Sequence, residues 1–102
     1  MMNDLEFILN FEENKTKGIW LSGIEGEGEY LRYHKNGQLR YHEFYKNGLR
    51  HGESKWYFEN GQIWIHDFWK NGLRHGECEW YLRNGELYEH NLYKNGKFVK
   101  NL

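Results

Sequence analysis

The chain has 102 residues with a formal charge of -1, 19% aromatic residues and a mean hydropathy of -1.03. It contains no alanine and no proline, which speaks against a helical bundle and excludes collagen-like or proline-rich segments. The aromatic content separates it from disordered chains of similar polarity, and the balanced charge provides no bulk field for nucleic acid or anionic lipid.

At the N-terminus the apolar run Leu5 to Phe11 is interrupted by Glu6 and Asn10 and preceded by Asp4, a pattern unlike a secretory signal. No stretch reaches the roughly 20 apolar residues of a membrane-spanning helix. Cys78 is the single cysteine and has no internal disulfide partner, so the expectation is a reducing, intracellular and cytoplasmic setting.

From residue 36 onward the chain is a tandem repeat. Asn-Gly dipeptides begin at Asn36, Asn60 and Asn84 in one series and at Asn47, Asn71 and Asn95 in a second, each with a period of 24. Residues 45–53 and 69–77 differ only in the exchange of Tyr45 for Trp69. Further columns recur at the same period: Tyr33, Tyr57 and Tyr81; Trp56 and Trp80; His42, His66 and His90. A fixed period of this size marks a repeat architecture.

Each repeat reads as two strands. Asn-Gly favours tight hairpin turns because both residues tolerate positive φ. The runs between the turns, Gln38 to Lys46, Leu49 to Glu59, Gln62 to Lys70, Leu73 to Arg83 and Glu86 to Lys94, have strand length. The expectation is an all-β fold, an elongated single-layer antiparallel β-meander of hairpin repeats.

With two-residue turns throughout, Tyr45 faces Arg50, Lys46 faces Leu49, Phe44 faces His51 and His42 faces Glu53. One face then gathers Leu39, Tyr41, Tyr45, Trp56, Phe58, Ile63, Ile65, Trp69, Trp80, Leu82, Leu87 and Tyr93. The other carries Phe44, Tyr57, Trp64, Phe68, Tyr81 and Tyr88 among histidines, lysines and glutamates. Rows built on this register overshoot the repeat by two positions, so the strands shear or alternate turns are longer. An even correction preserves the faces, and a one-residue bulge flips part of a strand.

Tyr45-Lys46-Asn47-Gly48 followed by Gly52, its copy Trp69-Lys70-Asn71-Gly72 with Gly76, and the spacer Trp56 to Gly61 resemble MORN repeats. They are most similar to the Asn-Gly-rich variant of short tandem proteins in bacteria and giant amoeba-infecting DNA viruses. The resemblance covers roughly Gly28 to Lys97 and implies an extended sheet of tandem MORN-type hairpins. It also implies protein interaction or self-assembly, sometimes membrane or phosphoinositide association, antitoxin-like labels among bacterial members, and no catalysis by the repeat. Residues 1–27 match poorly, with Ile24 where the turn glycine aligns. They read as a degenerate capping repeat with strands Leu5 to Glu12 and Gly18 to Gly23, ahead of one continuous repeat domain over 28–102.

The histidine columns do not form a metal centre. Copies one period apart lie two strands apart, about 9 to 10 Å, whereas zinc ligands each approach to about 2 Å. Two-ligand pairs, His42 with Glu53 and His66 with Glu77, are the alternatives to plain cross-strand polar contacts. Ser54 and Cys78 occupy one repeat position, which marks a slot for a small residue more simply than a nucleophile. No strand-to-helix transition follows the glycines, so they form no phosphate loop.

Tyr45 opposite Arg50 and Trp69 opposite Arg74 predict guanidinium stacking on the rings. A platform of rings and cations for single-stranded nucleic acid is disfavoured by the charge of -1, and no nucleic acid is expected. No cofactor or metal is expected either.

The candidate partner-binding residues are Tyr45, Trp56, Trp69, Trp80 and Tyr93, on the more apolar face. That face is expected to dock on another protein or a second copy of the chain. The leading function is therefore a non-enzymatic interaction or scaffolding module, including the antitoxin-like inhibitor of a partner. A peripheral repeat with weak phospholipid association is the alternative, drawing on interfacial rings and on Lys46, Lys70 and Lys94. The richness in Asn, Lys and Tyr suits an AT-rich genome such as that of a giant virus.

Overall fold

A computed structural model of the chain describes residues 14–102. From Ile19 onward every element is a β-strand: β1 (Ile19–Trp20), β2 (Gly28–Tyr33), β3 (Leu39–Lys46), β4 (Leu49–Arg50), β5 (Gly52–Tyr57), β6 (Ile63–Lys70), β7 (Leu73–Arg74), β8 (Gly76–Tyr81), β9 (Leu87–Lys94) and β10 (Lys97–Asn101). They form one antiparallel sheet in the order β1-β2-β3-β5-β6-β8-β9-β10, with β4 beside β3 and β7 beside β6. The expected meander is present. The expected strand Leu5 to Glu12 lies outside the described residues. The one expected over 18–23 is confined to Ile19–Trp20, because Gly23, Gly26 and Gly28 turn the chain at φ of 78°, 84° and 77°.

The six Asn-Gly turns are of two kinds. Asn47, Asn71 and Asn95 have φ of 53°, 51° and 50°, and the glycine after each is also positive, the two-residue type I′ turn. Asn36, Asn60 and Asn84 do not adopt positive φ; only their glycines do, at 90°, 88° and 93°. Here the side-chain oxygen of Asn60 accepts the N–H of Gln62 at 2.9 Å, while Phe58 and Gln62 close a three-residue loop. These turns are the longer ones.

The excess of two positions is absorbed at His51 and Gly52. Tyr45 still faces Arg50 and Lys46 faces Leu49, but His42 faces Lys55 and Tyr41 faces Trp56. Two extra residues have been taken up between β4 and β5, where Gly52 adopts φ of 112° and the His51 N–H reaches the Phe44 carbonyl at 2.8 Å. The same break separates β7 from β8 at His75, with Gly76 at 117°. A row now runs Tyr41, Trp56, Ile65, Trp80, advancing one full repeat per two strands. The correction is even, so the main faces stand, while the expected pairing of His42 with Glu53 is replaced.

A second, one-residue irregularity recurs in each repeat and does move side chains from one face to the other. Trp56 pairs with Ile65 but Tyr57 pairs with Ile63, leaving Trp64 as the extra residue. Its ring lies 6.1 Å from that of Trp56 and 5.5 Å from that of Phe58. Trp64 therefore belongs with Trp56 and not on the opposite face, because a bulge turns two successive residues to one side, and the residue beyond it changes face in turn: Ile63, expected among the rings, faces Tyr57 on the histidine side, as Leu39 faces Tyr33 and Leu87 faces Tyr81.

Candidate interaction face

The five candidate residues share one face in two rows. Tyr45, Trp69 and Tyr93 lie in the row that contains Arg50, Gly52, Arg74 and Gly76, and Trp56 and Trp80 lie in the row with Tyr41 and Ile65. All five are half-buried. They are covered by each other and by arginines: Tyr41 and Trp56 have ring centroids 4.5 Å apart, and Arg50 lies 5.0 Å from the Trp69 ring. Arg74 sits over three rings, Trp69 at 5.3 Å, Tyr93 at 5.6 Å and Trp80 at 5.8 Å. Trp69 with Arg74 is the stacking expected from sequence; Arg50, expected over its cross-strand neighbour Tyr45, lies over Trp69 of the next repeat.

Between these rows runs a buried polar line that sequence reasoning missed. Glu43, Ser54, Asp67, Cys78 and Asn91 are each at most 3% exposed, more deeply buried than any ring of the face. Ser54 faces Asp67 and Cys78 faces Asn91. Arg50 Nε donates to the Glu43 carboxylate, which also accepts the Tyr45 hydroxyl at 3.3 Å. One repeat later Arg74 Nε donates to Asp67 at 3.0 Å and the Trp69 indole N–H donates to it at 3.1 Å.

The reason is geometric. Short side chains in the central row let the long rings and guanidinium groups of the flanking rows close over them, and a carboxylate placed there is retained because each is bonded to an arginine. Burial lowers the pKa of Arg50, but its hydrogen bond and charge contact with Glu43 outweigh this and raise it above the ordinary value. The signal was present as coupled columns: Glu43, Asp67, Asn91 against Arg50, Arg74, Phe98.

Cys78 is 1% exposed. Burial, aided by the negative charge of Asp67, raises its thiol above the ordinary value of 9.0, the reverse of what a nucleophilic cysteine requires. The opposite face carries the histidines. His42 Nε2 lies 3.1 Å from Glu29, and His66 bridges Glu53 at 2.8 Å and Glu79 at 3.2 Å. His90 lies 3.3 Å from Glu77. The pairs His42 with Glu53 and His66 with Glu77 are displaced by the two-residue shift, and among the described residues no cluster of three potential ligands is arranged to hold a metal ion. His51 and His75 have a separate task, for each Nδ1 accepts the backbone N–H of the next repeat's turn, at Asn71 and Asn95, at 3.3 Å.

Among the described residues no helix is long and apolar enough to cross a membrane. No curated protein and no solved structure matches the chain. The family model described as MORN repeat variant matches residues 26–47, 50–71 and 74–95, three consecutive copies in the spacing of the strand pairs above. Repeats of this family are generally interaction modules for proteins or membranes and are generally non-catalytic. The periodic sheet, its Asn-Gly turns and the three matches over most of its length place this chain in the MORN repeat variant family.

Proposed function

We propose that this chain is a non-enzymatic protein-interaction module that docks through the face bearing Tyr45, Trp56, Trp69, Trp80 and Tyr93. The observation that carries the reading is the continuity of that face. The sheet is a single layer, and rings and guanidinium groups extend across it from Trp20 to Phe98 with no second layer over them among the described residues. Aromatic and arginine side chains are the residue types most enriched where protein interfaces draw their energy. An inhibitor bound to its target, as the antitoxin-like reading holds, is the more specific form of the same function.

The test is affinity capture with the tagged chain beside the Trp56→Ser, Trp80→Ser double variant, with far-ultraviolet circular dichroism verifying the sheet in both. A stoichiometric partner lost with the folded variant supports the face. A partner that the folded variant retains moves the interface elsewhere. Because Trp56 packs on Tyr41, a Trp56→Phe, Trp80→Phe variant that keeps the packing is the control for folding. Sedimentation of the purified chain reports whether the partner is a second copy.

A further inference from the structure

The six Asn-Gly pairs are chemically alike but are held differently. An asparagine cyclises when the peptide nitrogen of the next residue attacks its side-chain Cγ, and glycine, with no side chain, obstructs that approach least. All six asparagines are exposed, so access of water does not separate them. Three groups do: the attacking glycine nitrogen, the Oδ1 that takes up charge and the Nδ2 that leaves. At the type I′ turns the attacking nitrogen is tied to the segment of the preceding turn. The Gly48 N–H donates to the Gly26 carbonyl at 3.0 Å, Gly72 to Arg50 at 2.9 Å and Gly96 to Arg74 at 2.8 Å. Each is released only when stacked turns part, and among the described residues no N–H donates to the Oδ1 of Asn47, Asn71 or Asn95.

At the longer turns the glycine N–H is held only within its own loop, Gly37 by the His34 carbonyl and Gly61 by that of Phe58 at 3.0 Å, and Gly85 by that of Leu82 at 2.9 Å. Local opening of the loop tip frees it. In all three the N–H two residues on donates to Oδ1 at 2.9 Å, from Gln38, Gln62 and Glu86. A donor so placed stabilises the negative charge that develops on this oxygen during attack. The leaving nitrogen then tells the three apart. Nδ2 of Asn36 donates to the Glu59 carbonyl at 2.8 Å and that of Asn60 to the Arg83 carbonyl at 3.0 Å, each in the next longer turn. Such a bond fixes the amide and draws its nitrogen lone pair into the carbonyl. Asn84 has no later copy of this turn, and its Nδ2 makes no such bond among the described residues.

We propose that Asn84 is a modification site, at which the folded chain deamidates through a cyclic imide to aspartate and isoaspartate ahead of the other five Asn-Gly pairs. The Gly85 nitrogen gives up its proton to solvent base and bonds to the Asn84 Cγ, and the carbonyl electron pair moves onto Oδ1 beside the Glu86 N–H. Collapse of this adduct breaks the Cγ–Nδ2 bond, and Nδ2 departs as ammonia with a proton returned by solvent. Water then opens the imide. Cleavage between Cγ and the glycine nitrogen gives aspartate; cleavage at the main-chain carbonyl gives isoaspartate, whose backbone runs through Cγ. Either product puts a carboxylate in place of a neutral amide at the turn joining β8 and β9. The docking variants leave this turn untouched, so the site stands or falls apart from the interface.

The experiment is incubation of the full chain in mildly alkaline buffer, followed by peptide mapping with electron-transfer fragmentation, which separates aspartate from isoaspartate at each position. The three longer turns read Asn36-Gly37-Gln38, Asn60-Gly61-Gln62 and Asn84-Gly85-Glu86, and the same chain in concentrated guanidinium chloride gives the rate of each without the fold. Normalised to those rates, reaction in the folded chain should be about two- to tenfold faster at Asn84 than at Asn36 or Asn60, the factor that one hydrogen bond supplies. The type I′ pairs should be slower than Asn84 as well. Asn84→Gln should remove the earliest product. Normalised rates at Asn60 that match those at Asn84 overturn the proposal, as does an earlier product at a type I′ turn. Aspartate formed without isoaspartate overturns the cyclic route.

Discussion

The segments Asp67 to Cys78 and Asn91 to Leu102 are successive copies of the same repeat, and a few exchanges between them account for how their structures differ. In the first, Asp67 is buried against Arg74, Gly76 turns at φ of 117°, and His75 accepts the N–H of Asn95. In the second, Asn91 replaces the acid, Phe98 replaces the arginine, Val99 the histidine and Lys100 the glycine. The exchange of acid and arginine is concerted. A buried carboxylate without its guanidinium costs several kcal/mol, whereas the neutral amide of Asn91, though its buried Oδ1 has no hydrogen-bond partner among the described residues, costs less than an unpaired charge. Phe98 lies 6.0 Å from Tyr93, in the row where Arg74 crosses Trp69.

The glycine exchange changes the register. Gly52 and Gly76 adopt a backbone conformation that a side chain strains, and each accompanies a shift of two residues. Lys100 at the equivalent position does not adopt positive φ, and β10 shifts by one residue only: Phe98 faces Tyr93, then Lys100 faces Leu92 and Asn101 faces Asn91. An odd shift reverses which side chains share a face. The sheet thus keeps step with the repeat only where the two-residue break recurs.

The largest effect separating the two copies is expected from Arg74→Phe alone, which imposes the later copy's residue on the earlier one and strands Asp67. Urea denaturation should show a loss of about 3 kcal/mol, the low end for a broken buried pair because Arg74 remains 30% exposed. Adding Asp67→Asn should recover most of that loss. If the double variant is as unstable as the single one, the concerted exchange is not electrostatic.

Next is the backbone. Gly76→Lys should cost about 1 to 3 kcal/mol through strain at positive φ. Lys100→Gly, the reverse exchange, should let β10 take the two-residue shift. Amide contacts would then place Asn101 opposite Leu92 in place of Lys100; an unchanged Lys100 contact would show that the glycine does not govern the shift.

An alkaline titration isolates Cys78. Its thiol is raised in the folded chain, chiefly by burial, so the folded state holds its proton more tightly than the unfolded state. The resulting stability is fully present below the unfolded thiol value, taken as 9.0, and is lost as pH rises through the folded one. Cys78→Ser, which installs the residue already buried at position 54, should remove that part of the alkaline slope. The half-buried Tyr30 and Tyr45 hydroxyls, also raised by burial, keep a separate decline at higher pH.

The period, the strands within Gln38 to Lys46, Gln62 to Lys70 and Glu86 to Lys94, the ring-bearing face and the type I′ turns at Asn47, Asn71 and Asn95 were legible because each depends on local residue preference or on alternation, whereas the runs read as single strands over Leu49 to Glu59 and Leu73 to Arg83 are each broken in two. The location of the two-residue break was not, since nothing in an extended run distinguishes a glycine that packs from one that turns; only its recurrence at Gly52 and Gly76 after an identical Leu-Arg-His carries the signal. Trp64 was placed on the wrong face because one extra residue undoes the alternation on which the assignment rested. The buried line was hidden for a different reason. Glutamate and aspartate read as surface residues until a cross-strand arginine is brought beside them, and that pairing depends on the register.

The smallest expected effect tests how repeats are clamped together at the longer turns. Asn60 uses both ends of its amide, accepting from Gln62 and donating through Nδ2 to the Arg83 carbonyl at 3.0 Å, and Asn36 reaches the Glu59 carbonyl in the same way at 2.8 Å. At Asn84 the side-chain oxygen accepts the N–H of Glu86 at 2.9 Å, with no matching Nδ2 contact to a carbonyl among the described residues. Replacing Asn60 or Asn84 by alanine removes the local turn bond in both cases, so only the clamp distinguishes the two variants. Asn60→Ala should therefore be less stable than Asn84→Ala by about 0.5 to 1.5 kcal/mol, the net contribution of one hydrogen bond, read as a difference in denaturation midpoint at constant slope. Equal losses would mean that the inter-repeat contact adds nothing beyond the turn, and that strand pairing and the arginine-bonded row alone hold successive repeats in register.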